Sequence, residues 1–370
     1  MSKEDSTKIK YGICRYSNIN GITCYMNSIL HILQQVPIFA DYIYTGKVAN
    51  IFAKKYNNNK DGIKSTVFYQ LSRLFSTSMN NVDMIITPTS FKHIIGEKNN
   101  MWNENNHQDS QEFLNFLIST IEEEIGIKVE FIPKLNYMEN KTNYINLLAN
   151  MSWQKFQKNE YSPLKDIFNG MFYIQTKCSY CSNISTNFEP FTTLQVAIPV
   201  TDFKKKHMNK EFELKDCLGH LVKEEQLDND NMYNCEMCGI KNKGYKQTLL
   251  WKTPKLLIIH IKRFIVNNSG IISKKLTNKI EYPLYDLDMS EYIHNESIFI
   301  EKSKYDLIGV NIHQEFGQFG TNFGHYTSFV KNRFDNNWYL FNDDSEPIIQ
   351  TKKIDIQNRN AYLLFYYRKD

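Results

Sequence analysis

Gly21-Ile-Thr-Cys-Tyr-Met-Asn-Ser-Ile-Leu-His-Ile-Leu-Gln-Gln-Val-Pro37 is the stretch on which the fold turns. Met26, Ile29, Leu30 and Leu33 recur at i, i+3, i+4 and i+7, one stripe of an α-helix over 24–36. Thr23 can cap its start, and Pro37 ends it because proline has no N–H to continue the ladder. Cys24 is then the first helical residue. Unpaired N–H groups and the positive end of the helix dipole favour a thiolate there, which makes Cys24 a candidate nucleophile. The plainer alternative is a buried structural cysteine.

Outward from this helix, residues 109–124 predict a second one. Phe113, Leu114, Leu117 and Ile121 face inward, and Asp109 and Glu112 form an acidic first turn. The Asn/Lys-rich pieces 54–60, 99–106 and 204–206 read as solvated loops, and the first 160 residues as mainly helical. From about residue 170 the texture becomes β-branched and aromatic. Strands are predicted at 171–176, 193–199, 256–264, 306–313, 325–330, 338–341 and 361–367. Helices first and strands second make an α+β protein. No Pro/Ser-rich linker divides it, so a flexible 1–10 is expected to precede one compact unit with lobes over 11–370, of a size to hold an active site.

The 370 residues carry 42% hydrophobic and 23% charged residues, a composition that excludes a disordered chain. The net charge of +4 is too mild to demand a nucleic-acid partner. No apolar run reaches membrane-span length and MSKEDSTKIK has no signal-peptide core, so a cytoplasmic or nuclear location and no membrane partner are expected. Seven cysteines in a reducing compartment suggest metal or catalysis rather than disulfides.

Four of these cysteines form two pairs, Cys178-Ser-Tyr-Cys181 and Cys235-Glu-Met-Cys238. Two such knuckles can offer four thiolates to one structural Zn²⁺, and the long insertion between them predicts a metal at the far end of a β excursion. A metal-free or redox dithiol is the alternative. His325 follows the glycine-rich loop Gly317–Gly324 and opens a strand. A hairpin to Trp338-Tyr-Leu-Phe-Asn-Asp343 would bring Asn342 or Asp343 beside it, completing a Cys/His/Asn-or-Asp triad with Cys24.

Gly21–Leu30 resembles the Cys box of the ubiquitin-specific proteases. His107-Gln-Asp-Ser-Gln-Glu-Phe-Leu114 is similar to that family's Gln-Asp-x-Gln-Glu-Phe-Leu helix, and Leu256–Phe264 to its strand ending Leu-Lys-Arg-Phe. Tyr305–His313, Gly324-His-Tyr326 and Trp338–Asp343 resemble its His box, and Ala361–Tyr366 its last strand. The resemblance runs in order from about residue 11 to 368. It implies a papain-like fold with a helical thumb (about 11–160) and a β palm and fingers (about 161–370, the fingers about 172–250) tipped by zinc on Cys178, Cys181, Cys235 and Cys238.

The implied reaction is hydrolysis after the C-terminal glycine of ubiquitin, with ubiquitin and ubiquitinated proteins as partners and a monomer expected. Cys24 would be the nucleophile, His325 the base and acid, and Asn342 the orienting residue, with Asp343 able to substitute. Asp109 and Glu112 match acidic positions that hold the basic ubiquitin tail. Gln318, Phe323, Gly324 and Tyr326 match the border of the tail channel. The family's oxyanion-hole Asn falls five residues before the nucleophile, where this chain has Ile19, and its Gly-Leu pair has only Gly12-Ile13 as counterpart. Asn18 (after a one-residue insertion) or Asn20 would have to serve instead. A catalytically weak ubiquitin-binding scaffold is therefore the second reading, and a zinc-ribbon nucleic-acid binder the third.

Overall fold

A computed structural model describes residues 11–44, 52, 54–57, 59–81, 84–130, 141–158, 160–200, 210–266, 272–315 and 324–369. The chain divides into two compact units, Met1–Ile125 with Leu307–Phe365, and Gly126–Asp306 with Tyr366–Asp370.

The first unit begins with helices, the main ones being α1 (Cys24–Gln34), α2 (Val67–Asn80) and α3 (Ser110–Ile125). The stripe in α1 is buried as expected, but so is every other residue of the helix. An amphipathic pattern predicts one wet face. Here α3 and strands of the same unit cover all sides, so the polar residues need internal partners. Some find them: Gln34 Oε1 accepts from Tyr16 Oη at 2.7 Å, and Ser28 Oγ accepts from Asn311 Nδ2 at 2.9 Å. Tyr25 Oη and Asn27 Oδ1 find none among the described residues, and nor does His31. Its ring stacks between Tyr16 (4.5 Å) and Phe341 (4.1 Å), and neither ring nitrogen has a partner among the described residues. Burial pushes its pKa down to about 3, so it stays neutral.

Two expected loops carry more structure than their composition suggests. Asn59 caps the short helix Lys60–Lys64, and 99–106 contains a 3₁₀ turn, Asn100–Trp102. Trp102 is buried against Tyr25, Phe113 and Phe116, because one large ring in a polar segment suffices to anchor it. The Lys204–Lys206 loop lies outside the described residues.

In the second unit α4 (Lys141–Gln157) is followed by β1 (Gly170–Cys178), β2 (Ile184–Phe191), β3 (Thr193–Ala197), β4 (Glu225–Leu227), β5 (Gly244–Lys252) and β6 (Leu256–Lys262). One antiparallel sheet runs β2-β1-β5-β4, and β6 pairs in parallel with β3. Ala149 of α4 packs with Met171, Tyr173, Phe188 and Trp251 as this unit's local core. The strand expected over 256–264 breaks at Arg263. Its side chain is buried and donates Nη1 to Leu276 O (3.1 Å) and Asn278 O (2.9 Å).

The chain then supplies the first unit's sheet through β7 (Lys304–Glu315), β8 (Gly324–Lys331), β9 (Trp338–Phe341), β10 (Ile348–Gln350) and β11 (Ala361–Arg368), in the order β10-β9-β8-β7-β11. Gly309 lets β7 lie directly on α1, since a Cβ there would meet Ile32 Cγ2 at 2.6 Å. Among the described residues no helix is long and apolar enough to cross a membrane.

Candidate active site

Cys24 opens α1 behind Thr23, as its sequence predicts. The preceding loop folds back on itself: Thr23 N donates to Asn18 Oδ1 (2.7 Å), and Ile19 N donates to Thr23 Oγ1 (2.9 Å). Ile19–Gly21 forms a 3₁₀ turn in which Asn20 takes a left-handed backbone, φ 53°. Asn18 and Asn20 therefore part. Asn18 turns inward and donates Nδ2 to Asp343 Oδ2 at 2.8 Å, while Asn20 reaches out to Asn105 Oδ1 at 3.3 Å.

β8 and β9 form the antiparallel pair that the spacing predicts, with Ser328 opposite Phe341. Continuing this ladder carries Asn342 and Asp343 toward His325. Asn342 Oδ1 lies 2.6 Å from His325 Nε2, and Asp343 Oδ2 lies 3.8 Å from it. Tyr326, the next residue after His325, directs its backbone N–H at the Cys24 sulfur. The first unit thus brings Cys24, His325, Asn342, Asp343 and Asn18 into one place, and leaves Asn20 at its edge.

The electrostatics differ from the helix-start expectation. Burial pushes the Cys24 thiol up to about 11 and the Asp343 charge adds to this, against the N–H groups of Tyr326, Tyr25 and Cys24 itself. The helix start does favour the thiolate, but desolvation outweighs it. The Asp343 carboxyl is also raised by burial, opposed by the Asn27 amide, His325 and Asn18. Asp343 has φ 48°, a conformation that non-glycine residues rarely adopt.

Asp109 caps α3, with Oδ1 accepting from Gln111 N (2.7 Å) and Glu112 N (3.1 Å). Its Oδ2 accepts from Tyr362 Oη at 2.6 Å. Glu112 is exposed, and partial burial and then the Asp109 charge raise its carboxyl. Tyr326 is buried and stacked on His313 at 4.4 Å. Gly324 lies against the same ring: a Cβ there would collide with His313. Gln318 and Phe323 lie outside the described residues.

The sequence reading missed Asn27. It sits one turn after Cys24, so it shares that face of the helix, and an amide at that spacing from the candidate nucleophile was the available signal. It missed Tyr362 as well, which lies in the Ala361–Tyr366 strand motif but was read there only as part of a strand.

In the second unit the Sγ atoms of Cys178, Cys181, Cys235 and Cys238 all lie within 4.8 Å of one another. Cys178 ends β1, opposite Gly244, and the short ladder Tyr233–Asn234 with Lys241–Asn242 encloses the other pair. Gly239 takes φ 69° to turn the second knuckle, and its N–H donates to Cys235 O at 2.8 Å. The N–H groups of Cys181 and Tyr180 reach the Cys178 sulfur and pull it down to about 7. Tetrahedral Zn–S bonds of ~2.3 Å require sulfurs roughly 3.8 Å apart. Cys181 and Cys235 are 3.6 Å apart, so the four thiols fit one metal ion.

Among curated proteins, the chain is 28% identical over 363 residues to ubiquitin carboxyl-terminal hydrolase Usp2 of Drosophila melanogaster, covering 96% of this chain and 35% of that protein. It thus spans about a third of the length of the fly relative. It is 31% identical over 362 residues to ubiquitin carboxyl-terminal hydrolase 2 of Gallus gallus, covering 98% of this chain and 95% of that one. The SAGA DUB module solved bound to monoubiquitin superposes with a TM-score of 0.69 at 24% identity, over 99% of this chain and 71% of that one. That likeness is one of fold, the papain-like α+β arrangement. A family model described as ubiquitin carboxyl-terminal hydrolase matches residues 14–366, and the chain belongs to this family, among its ubiquitin-specific proteases.

Proposed function

We propose that this chain is a thiol hydrolase that cleaves the isopeptide or peptide bond after the C-terminal glycine of ubiquitin. The observation that carries the reading is the 2.6 Å contact of His325 Nε2 with Asn342 Oδ1, made beside the Tyr326 N–H that reaches Cys24. An amide oxygen accepts only, so His325 Nε2 holds its proton and Nδ1, unprotonated, can act as the base.

Nδ1 takes the Cys24 proton, and the sulfur attacks the glycine carbonyl. Burial raises the Cys24 thiol, so the sulfur depends on His325 to take its proton before it can attack as a thiolate. The oxyanion falls to the Cys24 N–H at the helix start and to the second Nδ2 hydrogen of Asn18, whose first is committed to Asp343. His325 returns its proton to the leaving amine. Water then hydrolyses the thioester, with His325 as base again. Asn18 supplies the amide that Ile19 cannot, which supports an active enzyme over the weak ubiquitin-binding reading.

Cys178, Cys181, Cys235 and Cys238 are the proposed zinc ligands. With all four positions taken by thiolates the ion would be structural, with no place for substrate. Asp109 and Glu112 are proposed to meet the basic ubiquitin tail, with Gly324 and Tyr326 lining its path. Ubiquitin carrying a C-terminal electrophile tests the reading. The adduct should map to Cys24 and be lost in Cys24→Ala, and an adduct on Cys14 or Cys217 would sink the assignment.

A further inference from the structure

The geometry points to Asn27 as the positioning residue that holds the Asp343 carboxylate beside His325, an inference that rests on the thiol-hydrolase reading above. Asn27 is buried, one helical turn after Cys24. Its Nδ2 donates to Asp343 Oδ1 at 2.8 Å, and also faces Tyr16 O at 3.3 Å and Ser17 O at 3.2 Å. All three neighbours are acceptors, so the amide orientation is forced: flipping it would set oxygen against three oxygens. The cost falls on Asn27 Oδ1, which is buried with no partner among the described residues.

Asp343 needs such a clamp. It is buried, its backbone is left-handed, and its two oxygens are each taken by one amide, Asn27 on Oδ1 and Asn18 on Oδ2. The charged or titratable groups facing it are His325 on β8, Cys24 at the start of α1, and its neighbour Asp344. A carboxylate fixed there favours the imidazolium that forms when His325 takes the Cys24 proton. The same charge opposes the free thiolate, so it stabilises the proton-transferred state only while it is held toward His325. Asn18 is committed to the oxyanion as well. Asn27 has no such second duty at this end of the site, and its removal would free one carboxylate oxygen and raise the proton affinity of Asp343.

The test is a double-mutant cycle on kcat/KM with ubiquitin–aminomethylcoumarin over a pH series. Asn27→Ala should lower kcat/KM by about 10- to 100-fold, mainly in kcat, and move the acidic limb of the profile to higher pH. In an Asp343→Asn background the same change should cost no more than about twofold, with no shift of the limb. An undiminished rate in Asn27→Ala, or an equal loss in both backgrounds, overturns the inference; the latter assigns Asn27 to the Tyr16 and Ser17 carbonyls alone. Should Asn27→Ala fail to fold, Asn27→Ser keeps a hydroxyl too short to reach Asp343, and a wild-type rate there is equally fatal. An inert wild type overturns the hydrolase reading and this inference together, whereas an active wild type with an unaffected Asn27→Ala overturns only the latter.

Discussion

His325 Nε2 and Asn342 Oδ1 stand 2.6 Å apart, although Asn342 is exposed and the buried carboxylate of the next residue, Asp343, lies only 3.8 Å from the same nitrogen. In the proposed triad the amide would orient the ring and the carboxylate behind it would supply charge, so that two adjacent residues would divide what one aspartate does in the serine-protease triad.

This division predicts the outcome of removing each. Asn342→Ala should lower kcat by roughly tenfold, because Asp343 can close part of the 3.8 Å gap. The double change with Asp343→Ala should lower it by about 10²–10⁴, the scale of general acid–base catalysis. Steady-state kinetics decide the matter. If the double variant runs at the wild-type rate, another residue orients the histidine.

The oxyanion assignment separates Asn18 from Asn20. Asn18 is tied to Thr23 N and Asp343, and among the described residues the Asn20 side chain is tied to Asn105 at 3.3 Å on the surface. Asn18→Ala should reduce kcat by about 10²–10³, and Asn20→Ala should leave it within a few-fold, with ubiquitin affinity unchanged in both. Equal effects would dismiss Asn18 as the donor.

Burial of His31 predicts that the first unit loses stability in acid. The histidine's folded pKa of about 3 lies below the ordinary value of 6.5, so the neutral ring is favoured by folding. The stability this represents is fully present above pH 6.5 and is lost as pH falls toward 3, on the order of a few kcal/mol. His31→Phe, which keeps a ring between Tyr16 and Phe341, should flatten the fall in denaturant midpoint over that window. An unchanged slope would show that other groups govern it.

Metal removal should act on stability. Protein purified without chelator should carry about one zinc per chain, and Cys235→Ser or a chelator should lower the melting temperature before it lowers turnover at 25 °C. Metal-free protein with an undiminished melting temperature would refute the structural role.

Several features were legible in residue order because they are local. The α1 stripe, the acidic first turn of α3, the strand at 338–341 and the hairpin bringing Asn342 to His325 all follow from periodicity and turn distance. The two Cys-x-x-Cys knuckles were legible for the same reason, since each needs only its own tight turn. Asn59 and Trp102 were obscured because composition averages over a segment, whereas one cap or one buried ring decides its structure.

By itself the sequence determined the α+β class, the family and the candidate identities of Cys24, His325 and the four knuckle cysteines, because each rests on a motif whose spacing is short compared with the chain. Only the tertiary structure decided between Asn18 and Asn20 as the inward amide, since a left-handed Asn20 reverses which side chain faces Asp343. It alone showed that α1 is buried on every side, and that burial raises the Cys24 thiol despite its helix start. Burial and hydrogen-bond partners are properties of what packs around a residue, and for Cys24, Asn27 and Asp343 those neighbours come from chain segments some three hundred residues apart.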